Sequence, residues 1–231
     1  MRKYQHLLFD LDNTLWDFSA NSEKAIYEVY AYYNLNNQIP DFATFLSAYY
    51  AYNHELWSQY RSGKISKQYL KENRFYITLA SFGIVDSQLA VAFDALYLSK
   101  VANETTLEPG ANEILVYLQS KGYTMHIITN GFNEIQYQKL SNSGISGFFK
   151  EVITSEAAGA LKPSPVFFKY ALTKCNAQVS ESLVIGDDYE ADINGALLMG
   201  LDTAFYTKTN DLNGVDTTFK ISNLLQLKAI L

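Results

Sequence analysis

The stretch Leu7-Leu8-Phe9-Asp10-Leu11-Asp12-Asn13-Thr14-Leu15 decides the fold of this 231-residue chain. Three large apolar residues in succession read as a strand buried on both faces, the kind found in parallel sheets. The run then breaks into two acids spaced two apart and a polar turn. Carboxylates at the end of a buried strand are costly unless compensated, and a divalent cation is the common compensation for a cluster. Taken alone, Asp-x-Asp is more often an Asx-rich turn. The rest of the chain shifts the balance towards Mg²⁺ chemistry.

Moving outward, four further β-rich runs alternate with helical stretches. They are Met125-His126-Ile127-Ile128, Glu151-Val152-Ile153-Thr154, Ser182-Leu183-Val184-Ile185 and Thr203-Ala204-Phe205-Tyr206. Helices between such strands make the right-handed crossovers of a parallel sheet. The expected fold class is therefore α/β, a doubly wound, Rossmann-like parallel sheet. Between Trp16 and about Asn103 the pattern is helical throughout. Asp41, Ser66 and Asp86 each stand where an N-cap is needed, and Gly83 suits a C′ position. This predicts a helical insertion at 16–103 within a core of 1–15 and 104–231.

Composition agrees with a folded globular chain: 48% apolar and 18% charged residues. A net charge of −6 argues against binding a nucleic-acid polymer, which asks for a basic face. The lone cysteine, Cys175, excludes an internal disulfide framework and reads as a small buried hydrophobe. The N-terminus runs directly into the first strand without a signal-peptide pattern, and no apolar run is long enough to span a bilayer. Both observations point to the cytoplasm.

Four segments carry chemistry. Asp10 is placed as a nucleophile, and Asp12, two residues on, as an acid–base group. Ile127-Ile128-Thr129-Asn130-Gly131 is a strand opening into a helix, where a hydroxyl and free N–H groups suit phosphate oxygens. Lys162 precedes Pro163 in an apolar neighbourhood and can be held against the Asp10 and phosphate charges. Val184-Ile185-Gly186-Asp187-Asp188 is a strand ending in acids, with Asp192 four residues further on. Asp187 can complete a metal shell with Asp10, and Asp188 or Asp192 can be a second ligand or a support for one.

These segments, in this order, resemble the haloacid dehalogenase superfamily over essentially the whole chain. The resemblance implies Asp10 as nucleophile, Asp12 as acid–base group, and phosphate contacts from Thr129, Asn130 and Lys162. It implies Mg²⁺ on Asp10, Asp187 and the Asp12 carbonyl, and an insertion that works as a mobile cap. In such a sheet the strands bearing Asp10 and Asp187 lie side by side, where open α/β sheets bind ligands.

The second acid, Asp12, separates this chain from the founding dehalogenases, which lack it. P-type ATPases need membrane helices. Phosphomutases keep both acids and remain compatible. Asn53-His54-Glu55-Leu56-Trp57 with Tyr60, Gly63 and Ile65 resembles the YjjG-type nucleotide 5′-monophosphatases, a branch leaning to pyrimidines. So does Thr129-Asn130-Gly131-Phe132 with Gln136, Leu140 and Gly144. The expected partner is a small phosphorylated metabolite, a nucleotide first, with phosphoglycolate or sugar phosphates next; the chain acts as monomer or homodimer, away from membranes. Tyr49, Trp57 and Arg61 are the candidate cap contacts, although aromatics at helical spacing are mostly core. A signalling receiver also phosphorylates an aspartate with Mg²⁺ and a lysine, but it carries neither the insertion nor an Asp12. His126 reads as a satisfied core histidine, and Arg74 and His54 as packing or solvated residues of the insertion.

Overall fold

The structure is a computed structural model that describes residues 3–208 and 215–231. The first strand, β1 (His6–Phe9), has three consecutive fully buried side chains, as its apolar run requires. Four helices follow: α1 (Phe18–Tyr32), α2 (Phe42–Arg61), α3 (Lys67–Ala80) and α4 (Ser87–Val101). After them come α5 (Ala111–Ser120), β2 (Thr124–Thr129), α6 (Asn133–Asn142), β3 (Phe149–Thr154), α7 (Ser155–Ala158) and α8 (Pro165–Cys175). The chain ends with β4 (Ser182–Gly186), a π-turn over Tyr189–Asn194, α9 (Gly195–Leu197), β5 (Asp202–Tyr206), β6 (Phe219–Ile221) and α10 (Leu227–Ile230).

The six strands form one sheet in the order β3-β2-β1-β4-β5-β6, with every pairing parallel. This is the doubly wound order, and its direction of winding reverses beside β1. The final strand, β6, is absent from the sequence reading. Three residues flanked by polar ones carry too little periodicity to be seen. Part of the sheet's packing is made by Leu8, Ile128, Ile153 and Val184 against Phe167, Phe168, Ala171 and Cys175 of α8. Cys175 is thus the buried hydrophobe its isolation suggested.

The chain divides into two compact units, Met1–Phe18 with Thr105–Leu231, and Ser19–Glu104. The division falls about three residues later at its first boundary than the sequence pattern places it. Within the sheet unit, the segments on either side of the insertion are paired. Trp16 bridges Leu107, and the Asp17 N–H donates to the Thr106 carbonyl at 3.1 Å.

The helical unit is built on local signals. Asp41, Ser66 and Asp86 each accept a hydrogen bond from a backbone N–H three residues on, at 2.8, 3.1 and 2.9 Å. Such caps satisfy N–H groups that a helix start leaves open. Gly83, at φ 80°, serves as the left-handed C′ residue of α3: its N–H donates to the Ala80 carbonyl at 2.9 Å and the Ile84 N–H to the Leu79 carbonyl at 3.1 Å. The interior is aromatic. Tyr49 stacks on Phe75 at 4.7 Å between ring centroids, and Phe75 meets Phe93 at 4.6 Å. Arg74 is buried among them, paired with Asp94 at 2.5 Å and lying over the Tyr97 ring. Among the described residues, no helix is long and apolar enough to cross a membrane.

Candidate active site

The register Phe9↔Ile185 sets the ends of β1 and β4 side by side, so Asp10 and Asp187 leave the sheet next to each other. The Asp10 N–H extends the ladder by donating to the Ile185 carbonyl at 2.8 Å. Beyond Asp10 the chain turns through Asn13 at φ 62°, a left-handed conformation that asparagine tolerates. That turn brings Thr14 back to donate to Asp187 Oδ1 at 2.9 Å. Asp192 enters from the π-turn after β4, whose start is capped by Asp188 accepting from the Ala191 N–H at 3.0 Å. Gly186 is required here, because any Cβ would collide with the Asp192 carboxylate.

The result is a cluster in which Asp10, Asp187 and Asp192 bring carboxylate oxygens within 4.8 Å of one another. Lys162 holds it together. Its ammonium donates to Asp10 Oδ1 (2.7 Å), Asp192 Oδ1 (2.6 Å) and the Ile128 carbonyl (2.8 Å), so all three of its hydrogens are used. Lys162 is only 2% exposed. Burial by itself would favour the neutral amine, yet the charges of Asp10 and Asp192 outweigh it and keep the ammonium protonated. One ammonium cannot offset three carboxylates. Burial first, with mutual repulsion opposing the pull of Lys162, holds Asp10 well above the usual carboxylate range. Burial, then the Asp192 charge, lifts Asp187 to about 7.

That surplus of negative charge, in hard oxygen donors, suits a small divalent cation such as Mg²⁺. Lys162 occupies Oδ1 of Asp10 and Thr14 occupies Oδ1 of Asp187, which leaves Oδ2 of each for the ion. Both oxygens of Asp192 are already engaged, by Lys162 and by the Asp188 N–H at 3.2 Å. Of the two acids left open by the sequence, Asp192 therefore belongs to the cluster, while Asp188 caps the turn that delivers it.

Two residues expected to contact phosphate are otherwise occupied. The Lys162 ammonium has no hydrogen left for a phosphate oxygen. Asn130 clips the Lys162 backbone from both sides, donating through Nδ2 to its carbonyl (3.0 Å) and accepting through Oδ1 from its N–H (2.8 Å). Thr129 differs. Its Oγ1 accepts from the Gly131 N–H at 3.0 Å and from Gln136 Nε2 at 3.1 Å. With both lone pairs taken, the hydroxyl hydrogen is free to donate to a third group.

The Asp12 carboxylate, expected as an acid–base group rather than a metal ligand, is not part of the acid cluster. Oδ1 pairs with Lys139 at 2.6 Å and Oδ2 accepts from Gln136 Nε2 at 2.7 Å, both from α6. Gly131 makes this possible, since a Cβ there would fall on the Gln136 amide. Lys139 is 3% exposed, with its ammonium 4.0 Å from the centroid of the Trp16 ring. Sequence reasoning missed Lys139, because a lysine on a helix is by default a solvated charge. The available signal was its i, i+3 spacing from Gln136, which sets both on one helix face.

The three candidate residues of the insertion do not form a group of like character. Tyr49 is fully buried, stacked on Phe75 inside the helical unit, and so is a core residue. Trp57 and Arg61 lie one turn apart near the end of α2 and are half-buried. His126 is also less settled than expected. Its Nε2 lies 3.1 Å from His6 Nδ1, but its own Nδ1 is buried without a partner.

Known proteins are similar to this chain in sequence and fold. The chain is 31% identical over 235 residues to the HAD-hydrolase YfnB of Bacillus subtilis, covering 100% of this chain and 97% of that protein. A crystal structure of YfnB bound to magnesium superposes with a TM-score of 0.89 at 29% identity, covering 100% and 99% of the two chains. Two pyrimidine 5′-nucleotidases are also similar. PynA of Streptococcus pneumoniae is 31% identical over 88% of this chain and 84% of its own, and YjjG of Escherichia coli is 29% identical over 99% and 98%. Residues 4–200 match the haloacid dehalogenase-like hydrolase family. With that match spanning most of its length, and the buried aspartate cluster at the carboxyl ends of β1 and β4, the chain belongs to the haloacid dehalogenase-like hydrolases.

Proposed function

We propose that this hydrolase is a Mg²⁺-dependent phosphatase that works through a phosphorylated Asp10 and takes nucleoside 5′-monophosphates as substrates. The observation that carries the phosphatase reading is the Asp10–Asp187–Asp192 cluster around the buried Lys162. The nucleotide reading rests on the likeness to PynA and YjjG along nearly their full lengths.

Lys162 orients Asp10 through a hydrogen bond to Oδ1; that oxygen keeps a lone pair to attack phosphorus, while Oδ2 is left for the ion. The P–O bond to the leaving group breaks as the acyl phosphate forms. Thr129, with its hydroxyl hydrogen uncommitted, donates to a phosphoryl oxygen. Asp12 supplies the proton that the departing alkoxide needs. It then takes a proton from the water that splits the acyl phosphate and restores Asp10. Asp10 and Asp187 would hold a Mg²⁺, which would supply positive charge to offset carboxylate and phosphate together. Asn130 and Asp192 keep Lys162 in place.

The test is phosphate release from a panel of nucleoside monophosphates, phosphoglycolate and sugar phosphates, with Mg²⁺ and with chelator. Pyrimidine 5′-monophosphates are expected to lead the panel, and chelation to abolish release. Asp10→Asn should fold and lose roughly three orders of magnitude or more in turnover. Preference for phosphoglycolate would retain the phosphatase reading and remove the nucleotide one. Turnover of Asp10→Asn within tenfold of the parent would remove both.

A further inference from the structure

We propose that Gln136 and Lys139 of α6 are positioning residues that hold the Asp12 carboxylate in register with Thr129. This inference rests on the phosphatase reading above and adds to it how the acid–base group is aimed.

Each oxygen of Asp12 has its own partner. Lys139 takes Oδ1 at 2.6 Å and Gln136 Nε2 takes Oδ2 at 2.7 Å. Two partners at two oxygens fix both the position of the carboxylate and its rotation about χ2, which one partner would not do. Gln136 does more than hold Asp12. The same Nε2 donates to Thr129 Oγ1 at 3.1 Å, so one amide group spans the proposed acid–base residue and the proposed donor to the phosphoryl group. A shift of either would be transmitted to the other.

The arrangement is costly, which argues against a role in packing alone. Gln136 Oε1 is buried without a hydrogen-bond partner. Turning the amide over would place that oxygen against the Asp12 carboxylate, so the orientation is dictated by Asp12 and Thr129 while Oε1 goes unsatisfied. Buried unsatisfied groups are uncommon in folded proteins, and an observed one calls for a reason. Lys139 is a buried ammonium with one carboxylate partner, enclosed by Trp16 (4.0 Å to the ring centroid) and Phe18 (5.4 Å). A hydrophobic pair of similar volume would serve stability as well or better than a buried ion pair. The rings restrict where the ammonium sits, and the ammonium restricts Asp12.

The experiment is quenched-flow of the intact enzyme with p-nitrophenyl phosphate and Mg²⁺. This substrate's leaving group departs without a donated proton, whereas breakdown of the phosphoenzyme still needs Asp12 to receive one. In Lys139→Gln, formation of phospho-Asp10 should stay within about threefold of the parent, while its breakdown slows roughly 10- to 100-fold. Gln136→Met keeps the side-chain volume and removes the donor; it should slow breakdown more than formation, with formation falling further than in Lys139→Gln because Thr129 is released as well. It also covers the case in which Lys139→Gln fails to fold. Both phases unchanged, or both falling in proportion as for a general loss of structure, would overturn the proposal. A parent enzyme that forms no phosphoenzyme at all would remove the phosphatase reading, and this inference with it.

Discussion

Asn130 shows how a residue's type can indicate importance without indicating its task. Its side chain makes two hydrogen bonds to the Lys162 backbone, and each is worth about 0.5–1.5 kcal/mol net. Asn130→Ala should therefore cost about 1–3 kcal/mol in urea denaturation. It should lower turnover as well, because Lys162 would no longer be fixed against Asp10. A variant as stable and as active as the parent would show the clip to be dispensable. The sequence marked Thr129-Asn130-Gly131 as a site by its place after a strand, and marked Lys162 by its apolar surroundings. It did not show that Asn130 and Lys162 bond to each other, since 32 residues separate them and that contact exists only after β2 and the loop before α8 are in place. Lys139 was hidden for a related reason. Its burial depends on Asp12, Trp16 and Phe18, all more than 120 residues away along the chain.

At the scale of elements, local rules were easily read and tertiary ones were not. The starts of α2, α3 and α4 follow from Asp41, Ser66 and Asp86, whose side chains act within three residues of themselves. The π-turn after β4 starts on the same kind of cap, Asp188 accepting from the Ala191 N–H, but nothing local marks its wider winding, which delivers Asp192 to Lys162. The packing of α3 against α4 carries a buried Arg74–Asp94 pair, with Arg74 Nη2 lacking a partner. Removing one member strands the other charge, at a cost of about 3–5 kcal/mol. Asp94→Leu should show that loss in denaturant unfolding followed by helical circular dichroism. The double change Arg74→Met with Asp94→Leu should recover most of it, since well-packed hydrophobes replace a buried pair at little cost. Failure of the double variant to recover would mean that Arg74 has a role beyond its pair.

For the molecule as a whole, the pH response of stability has a term that can be isolated. His126 is held down to about 4, first by burial, then by the neighbouring His6 and Lys150, against an ordinary value of 6.5. It stays neutral in the native state while the unfolded chain takes up a proton below about pH 6.5. Its contribution to stability is therefore complete above that pH and is lost as pH falls towards 4. Asp187, raised to about 7, has the opposite sign in the metal-free protein, so the measurement belongs in saturating Mg²⁺ and is read as a difference. The advantage of the parent over His126→Phe in thermal unfolding should shrink steadily from pH 7 to 4.5. A constant difference would place the histidine's proton elsewhere. The strand order has a consequence for how the chain comes off the ribosome. Both neighbours of β1 lie far downstream, β2 beginning at Thr124 and β4 at Ser182. At about 5–20 residues per second, β1 waits on the order of 10–35 s for β4 to be synthesised. During that interval Leu7, Leu8 and Phe9 are a bare hydrophobic segment in a crowded cell. The insertion, being continuous in sequence, has no such delay and can be folded before the sheet begins.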